Sequence, residues 1–303
     1  MLMNRIAFNY LLSVCALAVF TCSFARAQER TDRKLQDKIK ILLEGFEGQV
    51  GVYVKNLRNN KVVSINADSI FPTASMIKIP ILIGIMDKLN RNEFGYEQQV
   101  TYKDSLLYAG DDVLGSFKQD EKIELGKVIM LMLTLSDNTA SLWLQSLAGT
   151  GTRINTILDS LGFKSTRVNS RTPGREEART RYGWGQTTPR EMVRLMEKIY
   201  RGEIINKIYS EKMLRALGRN FYDGHAISSI PPYIFVASKH GAVNESRSET
   251  LLVMAPHGPY LFSIITKNQK DQSWEASNAG WILASKLSAI LWNHFEPKSQ
   301  WKK

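Results

Sequence analysis

Along residues 32–46 the apolar side chains Leu35, Ile39, Leu42 and Leu43 recur at a spacing that puts them on one side of a helix, so an amphipathic first helix is predicted. The period then shortens to two. Residues 49–55 alternate around Val50, Val52 and Val54, and residues 61–66 follow the turn-rich Arg58-Asn59-Asn60, which together predict a β-hairpin. From residue 74 to about residue 200 the helical period dominates. Strand patterns return at residues 233–236, 250–255 and 260–267. Residues 277–292 then form a closing helix whose Ile282, Leu283, Leu287, Ile290 and Leu291 can pack on a sheet. Strands from both chain ends around a helical middle predict an α+β fold. Its sheet subdomain spans about residues 28–73 and 229–303, and a helical subdomain of about residues 74–228 is inserted in it. With no repeat, low-complexity tract or flexible linker, residues 28–303 read as a single domain.

Two local signals sharpen the helices. Thr188-Pro189-Arg190-Glu191 supplies an N-cap hydroxyl, a proline at the first helical position and a glutamate able to return a hydrogen bond to the cap. Pro80 runs the other way, since proline inside a helix removes a backbone hydrogen bond at a cost of about 3 kcal/mol.

The first residues stand apart. Arg5, an apolar run over residues 11–20 and then Ala25-Arg26-Ala27 make the charge, core and small-residue pattern of a secretory signal peptide over residues 1–27. Cleavage leaves Gln28 first, with retention as a membrane anchor the alternative; either way the expected location is periplasmic or secreted. Cys15 and Cys22 both fall in that segment, so the exported chain has no thiol chemistry, no cysteine-ligated metal and no disulfide, and must rely on its core. The net charge of +11 suits anionic partners such as the cell envelope, but the basic residues are spread along the chain as in a solubilising surface. Export argues against nucleic acid, and a monomer is expected.

Three short motifs carry candidate chemistry. Ser75-Met76-Ile77-Lys78 heads an apolar helix through Ile79, Ile81, Leu82, Ile85 and Met86, which sets the serine and the lysine on one face. A serine hydroxyl needs a base to become a useful nucleophile, and a lysine serves only when burial or a neighbouring cation depresses its pKa. The pattern alone is weak, because Ser299-Gln300-Trp301-Lys302 in the polar tail fits it too. Ser136-Asp137-Asn138 lies in a polar loop between apolar segments and can equally be a helix stop and cap. Lys239-His240-Gly241 follows the strand predicted at 233–238. There a cation can hold a substrate carboxylate, and a glycine can let substrate backbone approach.

In this order, Ser-x-x-Lys, Ser-Asp-Asn about sixty residues on and Lys-x-Gly near the end, the chain resembles the class A β-lactamase and penicillin-binding serine hydrolase superfamily over essentially all of residues 28–303. The resemblance implies a five-stranded antiparallel sheet flanked by helices, with the site between it and an all-helical subdomain. It implies that Ser75 attacks a carbonyl to form an acyl-enzyme, that Lys78 takes its proton and that Ser136 relays a proton to the leaving nitrogen. Asn138 would orient Lys78 or the substrate amide, and Asp137 would brace the loop. Lys239 would hold the relay and draw the substrate carboxylate, His240 and Gly241 would line the binding strand, and the N–H groups of Ser75 and Ala242 would form the oxyanion hole. The implied substrate is a β-lactam or a D-alanyl peptide or ester, with no cofactor.

The chain also departs from that pattern. Class A β-lactamases carry Glu-x-x-Leu-Asn on the loop before the Thr-Thr-Pro helix start, and the corresponding stretch from Val168 to Gly185 lacks it. Thr172 falls near the expected position. Glu176 and Glu177 come later and are the remaining candidates for a deacylation base, each also readable as a solvated surface charge. Without a positioned base, general base assistance worth about 10²- to 10⁴-fold is missing and an acyl-enzyme should persist. His240 replaces the usual Thr or Ser and predicts substrate binding sensitive to pH between about 5 and 8. Arg247 could return toward the Lys-x-Gly strand as the family's carboxylate-binding arginine or lie exposed at a strand end. His225, His257 and His294 show no metal-ligand spacing, so no metal is assigned. Three functions follow: a β-lactamase-like hydrolase, a D,D-peptidase or small-ester hydrolase, or a non-catalytic penicillin-binding sensor.

Overall fold

The computed structural model describes residues 28–110 and 112–301, so the predicted signal peptide and both cysteines lie outside the described residues. The chain divides into Met1–Arg30 and a compact unit Thr31–Lys303, which holds everything that follows.

Five long strands build the main sheet: β1 (Gln49–Asn56), β2 (Lys61–Ile65), β3 (Val236–Val243), β4 (Ser246–Val253) and β5 (Tyr260–Lys267). They pair antiparallel in the order β2-β1-β5-β4-β3. A two-residue strand ending at Thr31 is a sixth member beyond β2, one more than the resemblance implied. Alternation along β4 and β5 decides which core each side chain joins. Leu251, Val253, Tyr260, Phe262 and Ile264 face α1 (Arg33–Leu43) and the closing helix, whereas Leu252, Leu261 and Ile265 face the helical subdomain. Both faces are covered, so all of β4 is buried.

The helical subdomain is arranged around α2 (Lys78–Asn90), which is apolar on every side and buried almost throughout. It is followed by α3 (Leu125–Thr134), α4 (Asn138–Leu147), α5 (Thr150–Ser160), α6 (Glu176–Tyr182), α7 (Pro189–Tyr200) and α8 (Lys207–Leu217), with α9 (Ala279–Phe295) closing the chain. Each fully buried Ile or Leu of α2 contributes about 1.5–3 kcal/mol. Ile79, Ile81, Leu82, Ile83 and Ile85 together can therefore offset the several kcal/mol needed to bury an amine in the first turn of the same helix. A small sheet of Phe71–Pro72, Gly185–Thr187 and Arg167–Val168 interrupts the expected helical run and ties the two subdomains together.

Several predicted boundaries shift. β3 starts at Val236, because residues 231–234 are drawn into a turn in which the Ile234 N–H donates to the Pro231 carbonyl at 3.0 Å, and it runs on to Val243. Lys239, His240 and Gly241 therefore lie inside the strand instead of after it. β4 begins at Ser246, its polar first half hidden by burial beneath the site. Thr188 caps α7 as predicted, its hydroxyl accepting from the Glu191 N–H at 3.1 Å. Glu191 does not return to the cap. Its carboxylate accepts instead from the N–H groups of Lys164, Ser165 and Thr166 at 2.6–3.1 Å, closing the turn before Arg167.

Candidate active site

Ser75 sits in a 3₁₀ turn, Ala74–Ile77, that leads directly into α2. The turn is clamped from two sides. Thr73 donates its N–H to the Gly185 carbonyl at 2.9 Å, and the Ser248 hydroxyl donates to the Thr73 carbonyl at 3.2 Å. A Cβ on Gly241 would lie 2.6 Å from the Ser75 nitrogen and 2.8 Å from the Thr73 oxygen, so only glycine lets β3 come this close. Gly241 thus clears room for the Ser75 turn of its own chain. Ala74 pays for the tight entry with a left-handed φ of 43°, which is strain placed beside a reactive residue. Pro80 is the third residue of α2, in the first turn where N–H groups have no helical partner, so the conflict expected from it does not arise.

Lys78 is fully buried. Its Nζ lies 3.2 Å from Ser75 Oγ, 3.1 Å from Ser136 Oγ and 2.8 Å from Asn138 Oδ1, and also bonds the Ser136 carbonyl. Burial draws its pKa down from 10.5 to about 7 against the opposing pull of Asp112 and Asp137. The partner set suits a neutral amine. Two N–H groups can serve the Asn138 and Ser136 carbonyl oxygens, which can only accept, leaving the lone pair for a hydroxyl proton. One of those hydroxyls is Ser75.

Ser136 reaches Lys78 with both its carbonyl and its hydroxyl because it adopts a left-handed φ of 58°. Two carboxylates hold the loop in that shape. Asp137 caps α4, accepting from Ala140 N–H at 2.7 Å and Leu114 N–H at 3.0 Å. Asp112 accepts from the N–H groups of Asn138 and Thr139 at 2.9 and 2.8 Å. Asp112 has no signal in the sequence, since it lies in a polar stretch without periodicity, and only the folded chain brings it beneath Asn138.

On the opposite wall the placements are mixed. Lys239 is fully buried, and its Nζ donates to the His240 carbonyl at 3.0 Å. It is close enough to Lys78 for the two charges to interact, and burial followed by Lys78 holds its pKa well below the usual lysine range. No hydrogen bond joins it to Ser136 among the described residues, so Ser75, Lys78 and Ser136 meet within bonding reach and Lys239 acts on them only through its charge. His240 lines the cleft with its Nδ1 buried and unpartnered. Burial, then Lys239, His225 and Lys78, hold its pKa well below the ordinary histidine value. The group whose pKa falls inside the expected window of pH 5 to 8 is thus Lys78, drawn down to about 7, while His240 is held below its ordinary value.

Arg247 is neither exposed nor aimed into the cleft. It is 1% exposed, bonds the carbonyls of Val243, Ser246 and Ser273, and lies against the rings of Trp274 and Trp281 at 4.9 and 5.6 Å. Its fork is occupied by main chain. Trp281 also stacks on His225 at 3.8 Å, and both rings line the cleft.

The loop before α7 is held by amide and hydroxyl groups and by one arginine. The Ser170 hydroxyl donates to Gln145 Oε1 at 2.8 Å, Asn155 bonds both N–H and carbonyl of Val168, and Arg175 bridges Asn169 and Gln186. Thr172 is buried against Gly151 and donates to the Ser170 carbonyl at 2.8 Å. Glu176 and Glu177 open α6 on the exposed surface and do not line the cleft. Where this loop does line it, at residues 181–184, it offers Arg181, Tyr182, Gly183 and Trp184. The cleft has a volume of about 1710 Å³ and also takes in Ser75, Ser136, Asn138, His240 and Ala242. Ser299, the other Ser-x-x-Lys serine, instead accepts from Trp292 Nε1 at 3.1 Å beside the closing helix.

A family model described as "Beta-lactamase enzyme family" matches residues 34–295. β-Lactamase VEB-1 of Pseudomonas aeruginosa is 22% identical over 301 residues, covering 94% of this chain and 97% of its own, and β-lactamase AER-1 of Aeromonas hydrophila is 23% identical over 267 residues, with coverage of 88% and 87%. The solved structure of PBP-A aligns with a TM-score of 0.79 at 24% identity over 89% of this chain and 98% of that one, and a variant of PBP-A has been solved as an acyl-enzyme complex with penicillin G. A representative class A β-lactamase from Bacteroides cellulosilyticus aligns with a TM-score of 0.76 at 20% identity, over 89% of this chain and all of that one. At such identities the structural likeness speaks for the fold.

Proposed function

Because the chain belongs to the β-lactamase enzyme family, we propose that it is an exported serine hydrolase whose Ser75 opens β-lactam rings to an acyl-enzyme that is released slowly. The observation that carries the reading is the placement of a buried amine with a pKa of about 7 at 3.2 Å from Ser75 Oγ.

In this reading Ser75 Oγ attacks the lactam carbonyl as its proton passes to the lone pair of Lys78 Nζ. The new oxyanion is received by the N–H groups of Ser75 and Ala242, preorganised donors of the kind whose loss costs about 10²- to 10³-fold in rate. Collapse breaks the C–N bond. The leaving nitrogen takes the proton of Ser136 Oγ, which is replenished from Lys78, 3.1 Å away. Every proton lost by Ser75 is thereby delivered to the leaving group. Slow release is supported by the loop before α7, whose cleft-lining residues 181–184 include no carboxylate to activate water.

Intact-mass measurement after exposure to benzylpenicillin tests this. A serine adduct that outlasts minutes and disappears in Ser75→Ala is expected. No adduct would sink the acylation step, and an adduct lost within a turnover would sink slow release. Hydrolysis of a chromogenic cephalosporin compared with a D-alanyl-D-alanine peptide separates this reading from a peptidase.

A further inference from the structure

We propose that Arg181 and Lys267 form an anion-binding subsite at the acyl end of the cleft, selecting substrates whose acyl group carries a carboxylate of its own. The inference rests on acylation of Ser75 as read above.

The cleft has two ends. Ser136, Lys239 and His240 mark the one toward the leaving group. β3 passes Ser75 at Gly241, so Ala242 and Val243 continue toward the other end, where the acyl portion of a substrate must lie. Strand register brings Lys267 to that end. Val243 pairs with Ser246 and Ser248 pairs with Ile265, so the last residue of β5 emerges level with the β3–β4 turn. From the facing wall, Phe71 pairs with Thr187 and Pro72 with Gln186, which carries residues 181–184 alongside. Arg181 and Lys267 thus line the same cleft as the nucleophile, together with Pro72, Val243 and Asn244.

Their bonding leaves donors available. Lys267 Nζ donates to the Ile70 carbonyl at 2.8 Å and rests 4.7 Å from the centre of the Phe71 ring, which fixes the ammonium while engaging one of its three protons. Arg181 lies over Tyr182 at 5.2 Å. Neither cation is paired with a carboxylate among the described residues. Of the cleft-lining glutamates, Glu245 is turned to Gln272, whose Nε2 lies 3.5 Å from its carboxylate, and Glu275 makes no ion pair with either cation among the described residues. Burial, and after it the positive charge of Arg181, lower the Lys267 pKa, so the two cations are near enough to act on one another across the cleft they both line. A guanidinium and an ammonium lining one cleft suit a carboxylate, the first through its planar fork and the second as a point charge.

The test compares benzylpenicillin with carbenicillin, which differs by a carboxylate on the acyl side chain. Second-order rates of adduct formation are followed by intact mass at low and high salt. Carbenicillin is expected to react about fivefold faster at low salt, with the advantage shrinking toward parity near 0.5 M salt. Arg181→Gln and Lys267→Gln should each lower the carbenicillin to benzylpenicillin ratio about threefold, Arg181→Glu should invert it, and Lys267→Arg should retain it. Arg179→Gln, exposed on the same helix and away from the cleft, is the control that leaves the ratio unchanged. Thermal unfolding checks that each variant is folded. Equal rates in the wild type, or a ratio indifferent to Arg181→Glu, overturns the subsite. If neither penicillin forms an adduct, the acylation reading fails separately. Calorimetric binding of the two compounds to the wild-type protein and to Arg181→Glu then decides the subsite by the same ratio.

Discussion

A Cβ placed on Gly241 would stand 2.6 Å from the backbone nitrogen of Ser75. Main chain of β3 and main chain of the Ser75 turn are thus in direct contact, and the N–H groups of Ser75 and Ala242, the proposed oxyanion donors, owe their spacing to a missing methyl group. Gly241→Ala cannot be accommodated by a rotamer change, because its nearest neighbours include backbone atoms of Ser75 and Thr73. The expected outcome is a fall of about 10²-fold or more in the rate of penicillin adduct formation and a loss of about 1–3 kcal/mol in stability. Stopped-flow acylation and chemical denaturation check it; an unaltered rate would remove Ala242 from the oxyanion site.

Acylation should follow the protonation of Lys78. With its pKa drawn down to about 7, the rate is expected to rise through that midpoint and level off above it. Because His240 is held well below its ordinary value, His240→Thr should leave the midpoint in place. A midpoint that moves with His240 would reassign the titration.

Asp112 raises the Lys78 pKa while bracing Asn138 and Thr139. Asp112→Asn keeps an oxygen for those N–H groups and removes the charge, so the acylation midpoint should shift to lower pH with the fold intact. Asp112→Ala also strands two N–H donors and is expected to cost about 1–3 kcal/mol of stability in denaturant melts. A midpoint unmoved by Asp112→Asn would show that this carboxylate does not act on the amine.

The buried amine also links stability to pH. In the unfolded chain Lys78 titrates near 10.5 and in the native protein near 7, so between those values the unfolded state binds the extra proton and stability rises with pH. Relative to Lys78→Met, the wild type should gain about 2 kcal/mol between pH 7 and pH 9. Denaturation midpoints of the two proteins that run parallel over this range would contradict a neutral Lys78.

The two loop glutamates should be bystanders. Glu176→Gln and Glu177→Gln are expected to leave the lifetime of the penicillin adduct unchanged, since both side chains open α6 on the exposed surface. A lifetime lengthened tenfold in either variant would identify it as the deacylation base.

Much of the arrangement is legible without coordinates. The Ser75–Lys78 spacing puts two side chains on one helix face because an α-helix repeats every 3.6 residues, and the alternation of Val50, Val52 and Val54 marks a strand for the same kind of geometric reason. The strand over residues 260–267 and the cap at Thr188 were likewise readable, as each depends on neighbours within a few positions. Polar strand segments were not: residues 246–249 pair in β4 although nothing in their pattern announces burial.

By itself, then, the order of residues determined most of the elements, their sidedness and the placing of Ser75 and Lys78 on one face, since these follow from local periodicity and short-range hydrogen bonding. Only the tertiary structure decided that Asp112 braces the Ser136 loop, that Arg247 is occupied by main-chain carbonyls and that Arg181 and Lys267 line one cleft. The physical reason is distance along the chain. Electrostatic and packing partners are chosen by where strands register and helices dock, and a pKa such as that of Lys78 is set by solvent excluded by residues dozens of positions away.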